Sequence, residues 1–138
     1  MTEKRPFFWP FTLMACIFYA SGQSSLATPD LNFILPTDKL GHFLVFGLLA
    51  TFVMRIPKMY LLGWKGALAS ALIVIAYGAL DEWRQSFTIG RVVELNDLIA
   101  DALGACIAVL AYKTWSTYRN WLEWTPFKRF CKDTTLST

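Results

Sequence analysis

Residues 66–80 read GALASALIVIAYGAL, and the polar stretch DEWRQSFTIGR (81–91) follows directly. The first segment is an unbroken apolar run, and the second collects carboxylates, guanidinium groups and an amide at its end. A surface helix of a soluble protein would instead carry its polar residues along one face. The separation of apolar and polar residues along the chain therefore predicts a membrane helix with a polar end.

Three more apolar runs cover residues 7–22, 40–54 and 98–112. A helix of about 15 residues reaches only about 22 Å, whereas the hydrocarbon core of a bilayer is about 30 Å thick. Each helix must therefore extend into its polar flanks, or the bilayer must thin around it. We predict an all-α integral membrane bundle of four transmembrane helices over residues 1–112. A C-terminal interfacial amphipathic segment follows over 113–138.

The composition supports a membrane protein. Charged residues make up 17% of the chain and hydrophobic residues 55%, whereas soluble domains carry about a quarter of their residues as charged ones. The three cysteines have no metal-binding spacing, so they predict neither a disulfide framework nor a zinc site. The tail interleaves tryptophans with basic residues beside a membrane helix, which indicates an anchor at the membrane surface and argues against nucleic-acid binding.

The distribution of lysine and arginine predicts the orientation. Ten of the 13 basic residues precede the first run, lie between the second and third, or follow the fourth. The other three are Lys39, Arg84 and Arg91. Because cytoplasmic segments are enriched in lysine and arginine, both termini should be cytoplasmic.

With this topology the unusual polar residues gather on the external side. His42 and Asp101 each interrupt an apolar run, and ionisable groups at membrane depth mark a functional site by default. Residues four apart share a helix face, which stacks Asp38 on His42, Asp81 on Gln85 and Asp97 on Asp101. We therefore expect an outward-facing polar pocket. Its candidate residues are Asp38, Lys39, His42, Asp81, Glu82, Arg84, Gln85, Arg91, Asp97 and Asp101.

Three segments carry a resemblance to a known family. DKLGHFLVFGLLA (38–50), DEWRQSFTIGR (81–91) and NDLIADALG (96–104) resemble the VanZ-like family of small bacterial membrane proteins. The resemblance implies a compact helical domain in the bacterial cytoplasmic membrane, and the family's namesake is linked to teicoplanin resistance. Two departures are Ile89, where members often have proline, and Asp101, where many have asparagine. The motif marks Asp38, Lys39, His42, Asp81, Glu82, Gln85, Arg91, Asp97 and Gly104.

One functional hypothesis is binding of an anionic envelope lipid or a glycopeptide-related ligand. Lys39, Arg84 and Arg91 would hold phosphate or carboxylate, with arginine doing so in bidentate fashion. The carboxylates would position these cations, and His42 and Gln85 would supply hydrogen bonds. The implied partners are membrane lipids and a cell-wall lipid intermediate or glycopeptide.

The alternative is a membrane hydrolase or transferase that acts on a lipid-linked substrate. His42 would be the general base, oriented by Asp38 or Asp101, with Glu82 as acid or metal ligand and Asp81 beside it. Histidine with several carboxylates could also hold a divalent cation such as Mn²⁺ or Mg²⁺. No HExxH or GxSxG motif is present. A transporter half is a third interpretation, since a homo-oligomer could supply the remaining helices.

Overall fold

The computed structural model describes residues 5–22, 37–88 and 94–123, which form helices and connecting turns with no strand among them. The all-α prediction is therefore confirmed. The helices are α1 (Arg5–Ser21), α2 (Thr37–Met54), α3 (Pro57–Leu61), α4 (Trp64–Gln85), α5 (Leu95–Thr114) and α6 (Ser116–Glu123).

Local sequence explains how α4 begins and why it continues into the polar stretch. Pro57 opens the short α3, where its missing N–H costs nothing. Gly63 then adopts a φ of 61°, a conformation that glycine reaches without the clash a Cβ would cause. From Trp64 no proline or glycine pair interrupts the helix, so α4 carries Asp81, Glu82 and Gln85 within it. Helix α3 lies within the basic connection between the second and third apolar runs.

The centre of the bundle is formed by α2, α4 and α5, and the most extensive interface joins α2 to α5. Small residues allow this close approach: a Cβ on Gly104 would lie 2.1 Å from the Phe43 carbonyl oxygen. The core includes Phe46, Leu49, Val74 and Val109. Ala100, Gly104 and Ala108 form a stripe of small residues on α5, and at Gly104 and Ala108 this stripe packs against α2 and sets the register of the two helices.

Two helices, α4 and α5, are long and apolar enough to cross a membrane. Fewer than half of the residues in the 18-residue apolar stretch of each helix are buried inside the bundle. Two shorter apolar helices cover Phe7–Ser21 and Lys39–Met54. Leucine and isoleucine side chains such as Leu72 and Ile107 are exposed on the outside of the bundle. These observations support α4 and α5 as membrane helices. That α1 and α2 also cross the membrane is a proposal.

The end of the bundle where α5 finishes carries α6, which folds back onto the helices. The Tyr118 hydroxyl lies 3.2 Å from the Thr51 hydroxyl, and Arg119 donates to the Tyr112 carbonyl at 3.4 Å. The Lys113 ammonium lies over the rings of Tyr60 and Trp64. Residues 124–138 lie outside the described residues, so the division at residue 112 stays a prediction.

Candidate functional site

Buried ionisable side chains meet at one end of the bundle, where α1 and α4 end and α2 and α5 begin; we call it the polar end. Carboxylates are seldom buried unless they are paired. Four of them are less than a tenth exposed here, and the side chain of Gln85 is buried among them. They are Asp81, Glu82, Asp97 and Asp101.

A histidine–carboxylate pair joins α2 to α5. His42 Nδ1 lies 3.0 Å from Asp101 Oδ1, and the imidazole ring stacks on Phe46 with an interplanar angle of 10°. The close packing at Gly104 sets the register of α2 against α5, and this register places the starts of the two helices side by side. The pair fixes the orientation of the ring, and of the two carboxylates predicted as its partner the structure shows Asp101.

Three helices contribute to a compact group of possible ligand atoms. His42 on α2, Glu82 on α4 and Asp97 on α5 each offer one atom, and all three atoms lie within 4.8 Å of one another. We call these three residues the His42 cluster. Glu82 accepts long hydrogen bonds from the Glu94 N–H at 3.4 Å and from Gln85 at 3.5 Å.

Lys39 borders the His42 cluster and is held by two carboxylates. Its ammonium donates to Glu94 at 2.7 Å and to Asp97 at 2.9 Å. Lys39 lies in the first turn of α2, and these bonds join it to the start of α5 and to the residue before that helix.

A second polar group, the Asp81 cluster, links α4 to the end of α1 and consists of Asp81, Arg84, Gln85 and Ser21. The Ser21 hydroxyl donates to Asp81 Oδ1 at 2.7 Å, and Gln85 donates to Asp81 Oδ2 at 3.1 Å. Arg84 pairs with Asp81 at 3.1 Å, donates to the Ser21 hydroxyl and covers the Phe18 ring. Both Asp81 oxygens are therefore engaged.

The structure brings together most of the side chains that the sequence pointed to. His42, Glu82, Asp97 and Asp101 meet between α2, α4 and α5, with Lys39 at their edge. Asp81, Arg84 and Gln85 form the neighbouring group. The Asp38 side chain and Arg91 lie outside the described residues. Catalytic or ligand-binding roles for all of these residues stay predictions.

Sequence reasoning missed Ser21, Gly78 and Glu94. A Cβ on Gly78 would lie 2.8 Å from Asp101 Oδ2, so only glycine leaves room for the buried carboxylate. The sequence signal for Gly78 was its position four residues before Glu82, which places both residues on the same face of α4. Nothing in the local sequence distinguishes Ser21 as a partner of Asp81, because that contact depends on where α1 packs.

A family model described as VanZ/LLP1 matches residues 3–116. The chain belongs to the VanZ/LLP1 family. The match includes every described residue of α1 to α5 and both polar clusters, so the resemblance carried by the three sequence motifs is confirmed. VanZ proteins are membrane-associated, which agrees with the apolar exterior of α4 and α5. Neither a curated protein nor a solved structure shows a significant match to the chain.

Proposed function

We propose that this VanZ/LLP1 protein is a multi-pass protein of the bacterial cytoplasmic membrane whose polar end binds an anionic envelope ligand. Four helices, α1, α2, α4 and α5, cross the membrane, with both termini in the cytoplasm. The ligand is an envelope lipid or a glycopeptide-related molecule, and its binding connects the protein to glycopeptide resistance.

The observation that carries this proposal is the burial of ionisable groups at one end of a bundle with an apolar exterior. Charges at membrane depth are costly unless they pair or face water. Outside this end, the described lysines and arginines lie at the start of α1, at the other end of α4 and α5, on α3 and the turn before it, or on α6. That division fits a polar end that faces outward.

Topology is the first test of the proposal. Reporter fusions after residue 62 and at the C-terminus are expected to be cytoplasmic, and a fusion within 86–92 is expected to be external. An external C-terminus would reverse the site and contradict an envelope-facing role.

Ligand binding is the second test. The purified protein would be titrated in detergent and Mg²⁺ with a polyprenyl phosphate, and with the matching neutral polyprenol as control. We expect the phosphate to bind at least about tenfold more tightly, a difference of about 1.4 kcal/mol. Equal affinity would show that the polar end does not recognise the anionic group.

A specific observation also favours the enzyme hypothesis. The hydrogen-bonded His42 and Asp101 beside Glu82 have the arrangement of a general base with an orienting carboxylate. In hydrolysis of a lipid phosphate ester, His42 would take a proton from water as the water oxygen bonds to phosphorus. The P–O bond to the alcohol would break, and Glu82 in its acid form would protonate the leaving oxygen. Release of the alcohol in wild type but not in Glu82→Gln would support this hypothesis.

A further inference from the structure

The described part of the polar end carries more carboxylates than cations. Asp81, Glu82, Glu94, Asp97 and Asp101 face two permanently charged partners, Lys39 and Arg84. Arg84 pairs with Asp81, and Lys39 is shared by Glu94 and Asp97. Glu82 and Asp101 pair with neither of these two cations. Because buried carboxylates must be paired, protonated or bound to a metal, a bound cation would balance the charge of the described residues.

The geometry indicates where that charge belongs. The three ligand atoms of the His42 cluster lie within 4.8 Å of one another, which is close to the limit of about 4.4 Å for atoms bound to one metal ion at about 2.0–2.2 Å. They come from three different helices, so the packing of the bundle fixes them. Lys39 bonds to Asp97 through Oδ1, so Oδ2 is the Asp97 oxygen assigned to the ion.

Asp101 supplies an independent observation. It is 1% exposed, and its Oδ2 has no hydrogen-bond partner among the described residues. A Cβ on Gly78, one turn before Glu82, would lie 2.8 Å from this oxygen, so the oxygen lies against α4 next to the cluster. Its Oδ1 meets His42 Nδ1. A carboxylate that accepts from one imidazole nitrogen while the other binds the ion is the usual support of a metal-ligating histidine.

We propose that His42, Glu82 and Asp97 bind a divalent cation, with Asp101 orienting His42, and that this cation, given the function proposed above, bridges the protein to the phosphate of its ligand. Two oxygen ligands and one imidazole nitrogen suit Mn²⁺ or Mg²⁺. Lys39 and Arg84 are already paired with carboxylates. A bound cation therefore explains how a site rich in carboxylates can hold an anionic ligand.

The test is a titration of the full-length, detergent-solubilised protein, without a histidine tag, with Mn²⁺ by isothermal calorimetry. Wild type would be compared with His42→Ala, Glu82→Gln and Asp97→Asn, with Asp81→Asn as the matched control. We expect stoichiometric binding, a loss of roughly 10- to 100-fold or more in the three ligand variants, and an affinity within about twofold of wild type in Asp81→Asn. No binding to wild type, or the same affinity in all variants, would overturn the proposal.

Two further measurements keep the outcomes separate. Thermal unfolding in metal-free buffer identifies any variant that fails to fold, and a Mn²⁺-dependent rise in the midpoint of folded wild type supports the site without any substitution. Polyprenyl phosphate is then titrated with and without EDTA. Phosphate binding that persists in EDTA, in a protein that binds no Mn²⁺, contradicts the cation site and keeps the proposed function. Mn²⁺ binding without phosphate binding supports the site and contradicts the function.

Discussion

Asp81 and Glu82 are adjacent on α4, are equally buried, and lie in different surroundings. Asp81 turns toward α1, where Ser21, Gln85 and Arg84 satisfy both of its oxygens. Glu82 turns toward α2 and α5, where it meets another carboxylate and a histidine and accepts long hydrogen bonds from Gln85 and the Glu94 N–H. A satisfied buried carboxylate stabilises a fold, whereas an under-satisfied one has capacity left for a ligand. In the function proposed above, the Asp81 cluster therefore has a structural role and the His42 cluster binds the ligand.

The largest expected effect is loss of function in the His42 cluster without loss of the fold. His42→Ala and Glu82→Gln should abolish the envelope phenotype, because each removes a ligand atom but leaves the packing of α2 on α5 intact. Antibiotic susceptibility of a dependent strain and the unfolding midpoint in detergent would be measured together. A parallel loss of activity and stability would return both residues to a structural role.

A smaller effect is expected when α2 and α5 are forced apart. In Gly104→Ala the new Cβ would meet the Phe43 backbone, which cannot move without shifting α2, so the free energy of unfolding should fall by about 1–3 kcal/mol. Gly41→Ala is the matched control, because a Cβ there meets nothing within 4 Å. Similar stability of the two variants would show that the close approach does not set the register of the His42 cluster.

Asp81→Asn should produce the smallest effect, and an effect on stability alone. The amide keeps one acceptor oxygen, replaces the other with an NH2 donor, and no longer neutralises Arg84, whose side chain is 25% exposed and can reach water. We expect a loss of about 1 kcal/mol in the free energy of unfolding, measured by thermal or denaturant unfolding in detergent. Loss of Mn²⁺ affinity in this variant would remove the distinction between the two clusters.

Much of this architecture follows from the sequence alone. Apolar runs that end in polar stretches predict helices, and the i,i+4 rule places Gln85 on Asp81, as the 3.1 Å hydrogen bond confirms. The stripe through Gly104 predicts a close helix contact. The depth of His42 and Asp101 within apolar runs marks them before any contact is known.

Other features depend on tertiary packing and could not be predicted. Successive residues on a helix point about 100° apart, so the partners of Asp81 and Glu82 depend on where α1 and α5 lie. The attachment of α1 through Ser21 and the pairing of Lys39 with Glu94 join residues 60 and 55 positions apart. Local sequence contains no signal for such contacts.

Pulsed EPR of Mn²⁺ bound to the purified, tag-free protein tests the cation site most directly. The chain contains a single histidine, so imidazole nitrogen modulation of the Mn²⁺ echo can come only from His42. The cation site predicts this modulation in wild type and in Asp81→Asn, and its absence in His42→Ala. A Mn²⁺ signal without imidazole nitrogen coupling in wild type would contradict it.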